Sequence, residues 1–339
     1  MAPARGVLTR LAPSVGGARL RLILALLRQV LKATATAVWV GLVVGVLSFL
    51  ALRALPGDDA YRVAAARYGH DLVDGHAAAA VRAELAGDAA PGAALWRWLC
   101  GLAQGELGVS RVNAEPVAAL LAHEAAASLS LAGAALALAL LGAVPLGLAS
   151  GLRPGGAVDR LSLALAAVLR AVPPFVLGLL LMLLMSVQAG VLPVADPSQG
   201  GGPWLPALTL ALPLAAGAAR VLRETVLTVA ASPAWAFACS KGLPAPVRWW
   251  RHGLRVAVAP LLSWLGVQAV LLVEGVVVVE SLFARPGLGH ALVHAIFGRD
   301  VPVLQGAALA LGGGLVLFNL LLESALLLLD PRRRDGEVG

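Results

Sequence analysis

The chain alternates between long apolar runs and short polar intervals. A helix that crosses a bilayer needs about 20 predominantly apolar residues. Six runs meet that length: 33–54, 127–150, 161–186, 204–222, 257–279 and 303–329. The pattern predicts an all-α integral membrane protein, a six-transmembrane-helix bundle. Ala, Gly and Ser recur inside the runs, and small residues let helices approach closely. Pro145, Pro173, Pro174, Pro206, Pro213 and Pro260 also fall inside them. Broken helices are tolerated in a membrane where they are buried or line a cavity. Both features point to a bundle built around a pathway rather than a passive anchor.

Composition agrees. Of 339 residues, 59% are hydrophobic and 13% charged, against roughly 25% charged in soluble domains. Mean hydropathy is +0.85. The net charge of +7 would suggest nucleic-acid binding in a soluble chain. Here the arginines sit at the ends of apolar runs, which is a topological signal, and no nucleic-acid partner is expected. With the N-terminus inside, every inner segment is net positive. These segments are the arm with Arg5, Arg10, Arg19, Arg21, Arg28 and Lys32, then Arg153 and Arg160, then the stretch from Arg220 to Arg255, then Arg332, Arg333 and Arg334. The 55–126 stretch is the acidic one. Both termini are therefore expected in the cytoplasm.

The organisation that follows is a basic cytoplasmic arm (1–32), a first span (33–54), an extracytoplasmic region (55–126), a five-helix core (127–330) and a short tail (331–339). Within the arm, "ARLRLILALLRQVLK" reads as an amphipathic helix lying on the membrane. The 55–126 stretch is too long for a bare loop and is expected to form short helices over the bundle. Cys100 and Cys239 fall on opposite sides in this topology, so they are expected to be unpaired.

No phosphate loop, HExxH or GxSxG sequence occurs, and no His, Cys and carboxylate set has metal-ligand spacing. An enzyme is not expected. Ionisable residues inside apolar runs are functional candidates by default, and four stand out: Arg170, Glu274, Glu280 and Glu323. Glu280 falls near the outer mouth, where solvation would explain it. Glu323 falls near the inner end, where it could pair with an arginine. Glu274 is deeper, with Arg170, just before Pro173-Pro174-Phe175, as a candidate partner. Pathway function, a structural ion pair and tolerated exposure are all open for Glu274. The scattered His70, His76, His123, His290 and His294 raise nickel as a solute, but exposed loop histidines are usually only solvated.

One inner segment, 232–256, has its own pattern. Ser232-Pro233 opens a helix, with proline at its first position. "AWAFACSK" gives two turns, and Gly242 ends them. A second helix, "VRWWRHGLRVAVAP", follows Pro244 or Pro246. Trp249 and Trp250 suit a membrane interface and the arginines suit its inner face. The segment reads either as a lipid-binding interfacial helix pair or as a rigid knob offered to a soluble partner that hydrolyses ATP.

These residues resemble a known family. "ACSKG" (Ala238, Lys241, Gly242), "RHGLR" (Arg251, His252, Arg255) and Pro260 look like the coupling segment of ABC importer permeases of the dipeptide/oligopeptide/nickel permease B type. "RALPGD", "GELGVS", "PVAALL", "VPPFVLG", "VESLFARPGLG", "RDVPVLQG" and "LDPRRR" are similar to further family motifs and occur in the same order. The resemblance covers residues 30–334. It implies a type I importer permease in the bacterial inner membrane and transport of peptides or a related solute by alternating access. It implies as partners a second permease subunit, two P-loop ATPase subunits and an extracytoplasmic solute-binding protein. ATP and Mg would be used by the ATPases, and this chain would bind no cofactor. Ala238, Lys241, Gly242, Arg248, Arg251 and His252 would contact the ATPase, with Trp235 and Phe237 filling its cleft. Arg170, Pro173, Pro174, Phe175, Glu274 and Glu280 would border the pathway. The chain departs from the family at Ala234, usually Tyr, at Cys239, usually Arg, and at Glu274, usually small. The last departure suggests a cationic solute or a non-transporting paralogue. An ion-coupled secondary transporter and a membrane scaffold are the alternatives.

Overall fold

The computed structural model describes residues 15–329 apart from 55, 70, 72, 86–90 and 193–202. Arg5, Arg10, His70 and the 331–339 tail lie outside the described residues. The chain forms α1 (Val15–Ala54), α2 (Asp59–Tyr68), α3 (Gly75–Leu85), α4 (Pro91–Ala103), α5 (Val117–Leu152), α6 (Ala157–Ala171) and α7 (Pro174–Leu181). After α7 comes a π-helical stretch (Met182–Gln188). Then follow α8 (Trp204–Ala230), α9 (Pro233–Ser240), α10 (Ala245–Arg248), a π-helical turn (Trp249–Gly253), α11 (Leu254–Leu282), α12 (Leu288–Phe297) and α13 (Val301–Leu329).

Among the described residues five helices are long and apolar enough to cross a membrane, and a bent pair, α6 and α7, meeting at 108°, is a sixth candidate. Run 161–186 is therefore not one rod. Its tandem prolines are the cause. A residue before proline is pushed out of the helical region, and here two consecutive residues are affected. Val172 has ψ 123° and Pro173 has ψ 146°. The single Pro145, Pro213 and Pro260 stay inside continuous helices.

The contacts fix the direction of each crossing. Gly142 faces Ala215, Gly147 faces Ala219 and Leu222, and Gly151 faces Val226, so α5 and α8 run parallel. The chain between them must cross back, which assigns α6 and α7 together to one crossing. Gly217 meets Trp264 and Gly275 meets Leu210, so α11 is antiparallel to α8. Gly41 meets Leu309 and Gly312 meets Val40, so α1 is antiparallel to α13. Among the described residues the bundle therefore makes six crossings, and Val15 and Leu329 lie at one end, the end that carries α9.

Lipid is as apolar as leucine, so helices in a bilayer associate through close packing rather than the hydrophobic effect. Gly147 and Gly151 supply it. A Cβ at Gly147 would stand 2.6 Å from the Leu222 Cβ, and one at Gly151 would stand 2.6 Å from that of Val226. The main core joins Leu131 and Ala135 of α5, Leu205, Leu210 and Leu214 of α8, Leu272 and Val279 of α11, and Phe283 just after it.

Three expectations are corrected. The basic segment 18–32 is not a separate surface helix, because α1 runs unbroken through it. Gln29 is buried there, and Ser324 of α13 donates to its Oε1 at 3.5 Å. The second span starts at Val117 rather than 127, since His123 and Glu124 lower hydropathy without breaking a helix. The second basic helix is not separate from the fifth span. It passes through the π-helical turn into α11, with the Leu254 N–H reaching the Trp249 carbonyl.

At the other end of the bundle α2 and α3 form a small hairpin on Val63, Ala64 and Val81. Arg67 clasps Glu84 at 2.9 Å across it. Three of the sequence motifs meet at this end. Asp300 caps α13 and accepts from the Ser110 hydroxyl at 2.5 Å and the Arg111 N–H at 3.1 Å. Arg299 pairs with Asp59 and donates to the Pro56 carbonyl at 2.5 Å. "RALPGD", "GELGVS" and "RDVPVLQG" are thus one locked junction.

Candidate functional site

The α9 end is built locally. The Ser232 side chain caps α9 by accepting from the Trp235 N–H at 3.2 Å, and Pro233 takes the first helical position. The helix stops at Gly242, whose φ of 68° is left-handed, a conformation that glycine adopts without strain. Nothing lies within 4 Å of a Cβ there, so conformation rather than space requires the glycine.

The predicted contact residues divide into supports and exposed groups. Ala238 is buried, so it seats α9 instead of facing a partner. Trp235 does not project either. Its ring lies 4.6 Å from that of Trp249, with the Arg248 guanidinium 5.2 Å above it. Arg248 also donates to the Cys239 Sγ at 2.7 Å. Trp249 in turn lies on the Gly253 backbone, where a Cβ would stand 2.1 Å from the ring. Phe237 is 62% exposed, and the Lys241 ammonium sits 4.5 Å from its ring centroid. Lys241 and Arg251 are exposed, as are Arg153 and Arg160 at the same end. The side chain of His252 is outside the described residues. The result is a short rigid helix with an aromatic tip in a positive field, suited to an acidic, grooved protein surface.

The same end holds a cluster that the sequence reading missed. Asp159 of α6 is buried and accepts from Arg220 Nη1 at 2.8 Å, Arg223 Nε at 2.7 Å, Arg223 Nη2 at 2.8 Å and the Gly155 N–H at 2.9 Å. It clamps α6 to α8. The available signal was one acid among arginines in "RPGGAVDR".

The candidate pathway residues also divide. Arg170, Pro173, Pro174 and Glu274 line one cavity of about 440 Å³ between the α6–α7 break, α8 and α11. Phe175 is exposed and outside its lining. Arg170 and Glu274 are both exposed, and among the described residues neither makes an ion pair. Glu323 is exposed on α13, likewise with no ion pair among them.

Glu280 is not solvated. It is fully buried. Ser128 of α5 donates to it at 2.6 Å and the Gly289 N–H of α12 at 2.8 Å, while Ser128 accepts from the Leu288 N–H at 2.8 Å. A Cβ at Gly287 would fall 2.2 Å from the Glu280 carboxyl. "VESLFARPGLG" therefore encodes a carboxyl and the glycine cradle that holds it. The rings of His290 and His294 meet at a 60° tilt with centroids 4.3 Å apart. Burial and the neighbouring His294 push the His290 imidazole below its ordinary pKa. Among the described residues no three metal-ligating side chains converge.

A bundle of six crossings, a broken third one, and a capped helix between the fourth and fifth define a transport permease class. Comparison with known proteins agrees. The family described as binding-protein-dependent transport system inner membrane component matches residues 143–335. A probable peptide ABC transporter permease, y4tP, of Sinorhizobium fredii is 32% identical over 313 residues, 90% of this chain and 98% of that one. A glutathione transport system permease, GsiC, of Pectobacterium atrosepticum is 34% identical over 297 residues, 86% and 94% of the two chains. A putative peptide transport system permease of Brucella abortus is 34% identical over 316 residues, 90% and 98%. The chain belongs to this family. It is a multi-pass inner-membrane permease subunit of an ABC importer, partnered by ATPase and solute-binding proteins, and the ATPase chemistry lies in separate subunits.

Proposed function

We propose that this chain forms half of a peptide-import pathway and receives its drive through α9. The observation that carries the reading is the position of α9 in the chain. It follows α8 after two residues and leads through α10 and the π-helical turn into α11. α8 and α11 are two walls of the 440 Å³ cavity. A push on α9 is therefore a push on the cavity walls, and the Asp159 clamp extends it to α6.

In this reading the α9 end, with both termini, faces the cytoplasm. Phe237 enters a cleft on an ATPase subunit, and Lys241 and Arg251 lie against its acidic groups. A second, related permease completes the pathway, and each permease sits on one of two ATPase subunits, which hold the ATP and Mg. Closure of the ATPase dimer moves both α9 helices and opens the cavity outward. The solute-binding protein delivers at the α12 end, over α2 to α4. Peptide is the solute class supported by the names of the relatives.

Co-purification with the ATPase subunits of its own importer tests the coupling. Wild type should retain them, and Lys241→Glu and Phe237→Ala should lose most of them. Gly242→Ala, which forces a side chain into a left-handed conformation at a cost of about 1 kcal/mol, should weaken retention. Full retention by all three variants would refute the coupling role.

A further inference from the structure

The cavity beneath the tandem prolines holds more than a carboxylate. Arg170 ends α6 just before the break, and Glu274 stands on α11. Both line the same cavity of about 440 Å³, inside the 300–1,000 Å³ range of small-ligand clefts. Both are exposed, and neither has an ion pair among the described residues. An ionised side chain within a membrane bundle faces a partner, water or a passing solute. Two of opposite sign that leave each other unpaired across one cavity leave room for a solute carrying both charges. Gln268 and Trp264 of α11 also line the cavity. Gln268 lies six residues below Glu274, about 9 Å along the helix.

We infer that Arg170 and Glu274 form a recognition site for a zwitterionic solute with free amino and carboxylate ends, within the size of a short peptide. The Arg170 guanidinium takes the carboxylate through a two-pronged hydrogen bond. The Glu274 carboxylate takes the ammonium, and the Gln268 amide is within reach of a peptide group between them. A cation alone would leave Arg170 unanswered, which argues against the purely cationic solute that Glu274 suggested by itself. The α6–α7 break gives the site its form. Arg170 lies in the last turn of α6, and after it the chain turns by 108° into α7 at the cavity edge. The inference rests on the permease reading and adds the residues that select the solute.

The test uses the complete importer, with its ATPases and binding protein, in proteoliposomes. Labelled tri-alanine is compared with its N-acetylated and C-amidated forms. Wild type should transport the free peptide at least about tenfold faster than either blocked form, the scale of one charged hydrogen bond. Arg170→Gln should abolish discrimination against the amide, and Glu274→Gln should abolish discrimination against the N-acetyl form, each with slower uptake of the free peptide. Arg170→Lys and Glu274→Asp should keep the preference, and co-purification of the ATPases reports assembly of each variant. If wild type transports tri-alanine and both Gln variants keep its preference, the inference falls while the peptide reading stands. If an assembled wild type ignores tri-alanine, the peptide reading falls and takes the inference with it.

Discussion

Replacing Glu280 with alanine is the most quantitative test of the architecture. The carboxyl is fully buried and receives hydrogen bonds from Ser128 and from the Gly289 N–H. Each is worth about 1–3 kcal/mol when its loss leaves a buried donor unmet. The Ser128 O–H and the Gly289 N–H both lose their acceptor, since the bond that Ser128 accepts from the Leu288 N–H leaves its own proton unmet. The cavity left by the carboxyl adds to this loss. The sum is about 3–5 kcal/mol. At about 2–4 °C per kcal/mol in larger domains, the thermal midpoint of the detergent-purified subunit should fall by roughly 10 °C. Glu280→Gln keeps one acceptor and should lose less. Gly287→Ala, which would drive a methyl into the carboxyl, should resemble Glu280→Ala. A Glu280→Ala midpoint within about 2 °C of wild type would refute the claim that this carboxyl ties α5, α11 and α12 together.

Other outcomes follow from the same geometry. Gly147→Val should separate α5 from α8 and lower the thermal midpoint, whereas Gly133→Val, at a position with nothing within 4 Å of a Cβ, should not. Asp159→Asn should loosen α6 from α8 and lower solute uptake per ATP hydrolysed. An unchanged ratio in transport assays would mean that the clamp only stabilises. In the α2–α3 hairpin, the hydrogen bonds from Arg67 hold the Glu84 carboxyl below the usual carboxylate range. A lowered folded-state value means that the stabilisation is present above the unfolded pKa of about 4.3 and is lost as pH falls through the folded one. The pair is exposed, so this is at most about 1 kcal/mol. Protection of the α3 amides, relative to their intrinsic exchange rates at each pH, should fall modestly under acid, and Glu84→Gln should remove that pH dependence.

The crossings were legible because hydropathy is a direct readout of the lipid environment. The α9 cap and stop were legible because Ser232-Pro233 and Gly242 act through their own backbone. What stayed hidden depends on partners distant in sequence. Glu280 looked solvated because its anchors, Ser128 and Gly289, lie 152 and 9 residues away. Asp159 carried no local signal of its role because its partners Arg220 and Arg223 lie 61 and 64 residues away. The family motifs could be matched before they could be explained, since the junction of Asp59, Ser110, Arg299 and Asp300 exists only in three dimensions. The tandem prolines were visible, but the cavity at their 108° bend, lined by Arg170 and Glu274, depends on how α6 and α7 pack on α8 and α11.

The central claim is that α9 is the contact through which ATP hydrolysis reaches the cavity. It is tested most directly by a photo-crosslinking residue at Phe237 in the assembled importer, with one at Trp39, 66% exposed on α1, as the lipid-facing control. The account predicts a crosslink from position 237 to an ATPase subunit, changing in yield when ATP is added, and only lipid adducts from position 39. Lipid adducts alone from position 237 would contradict it and make α9 an interfacial helix.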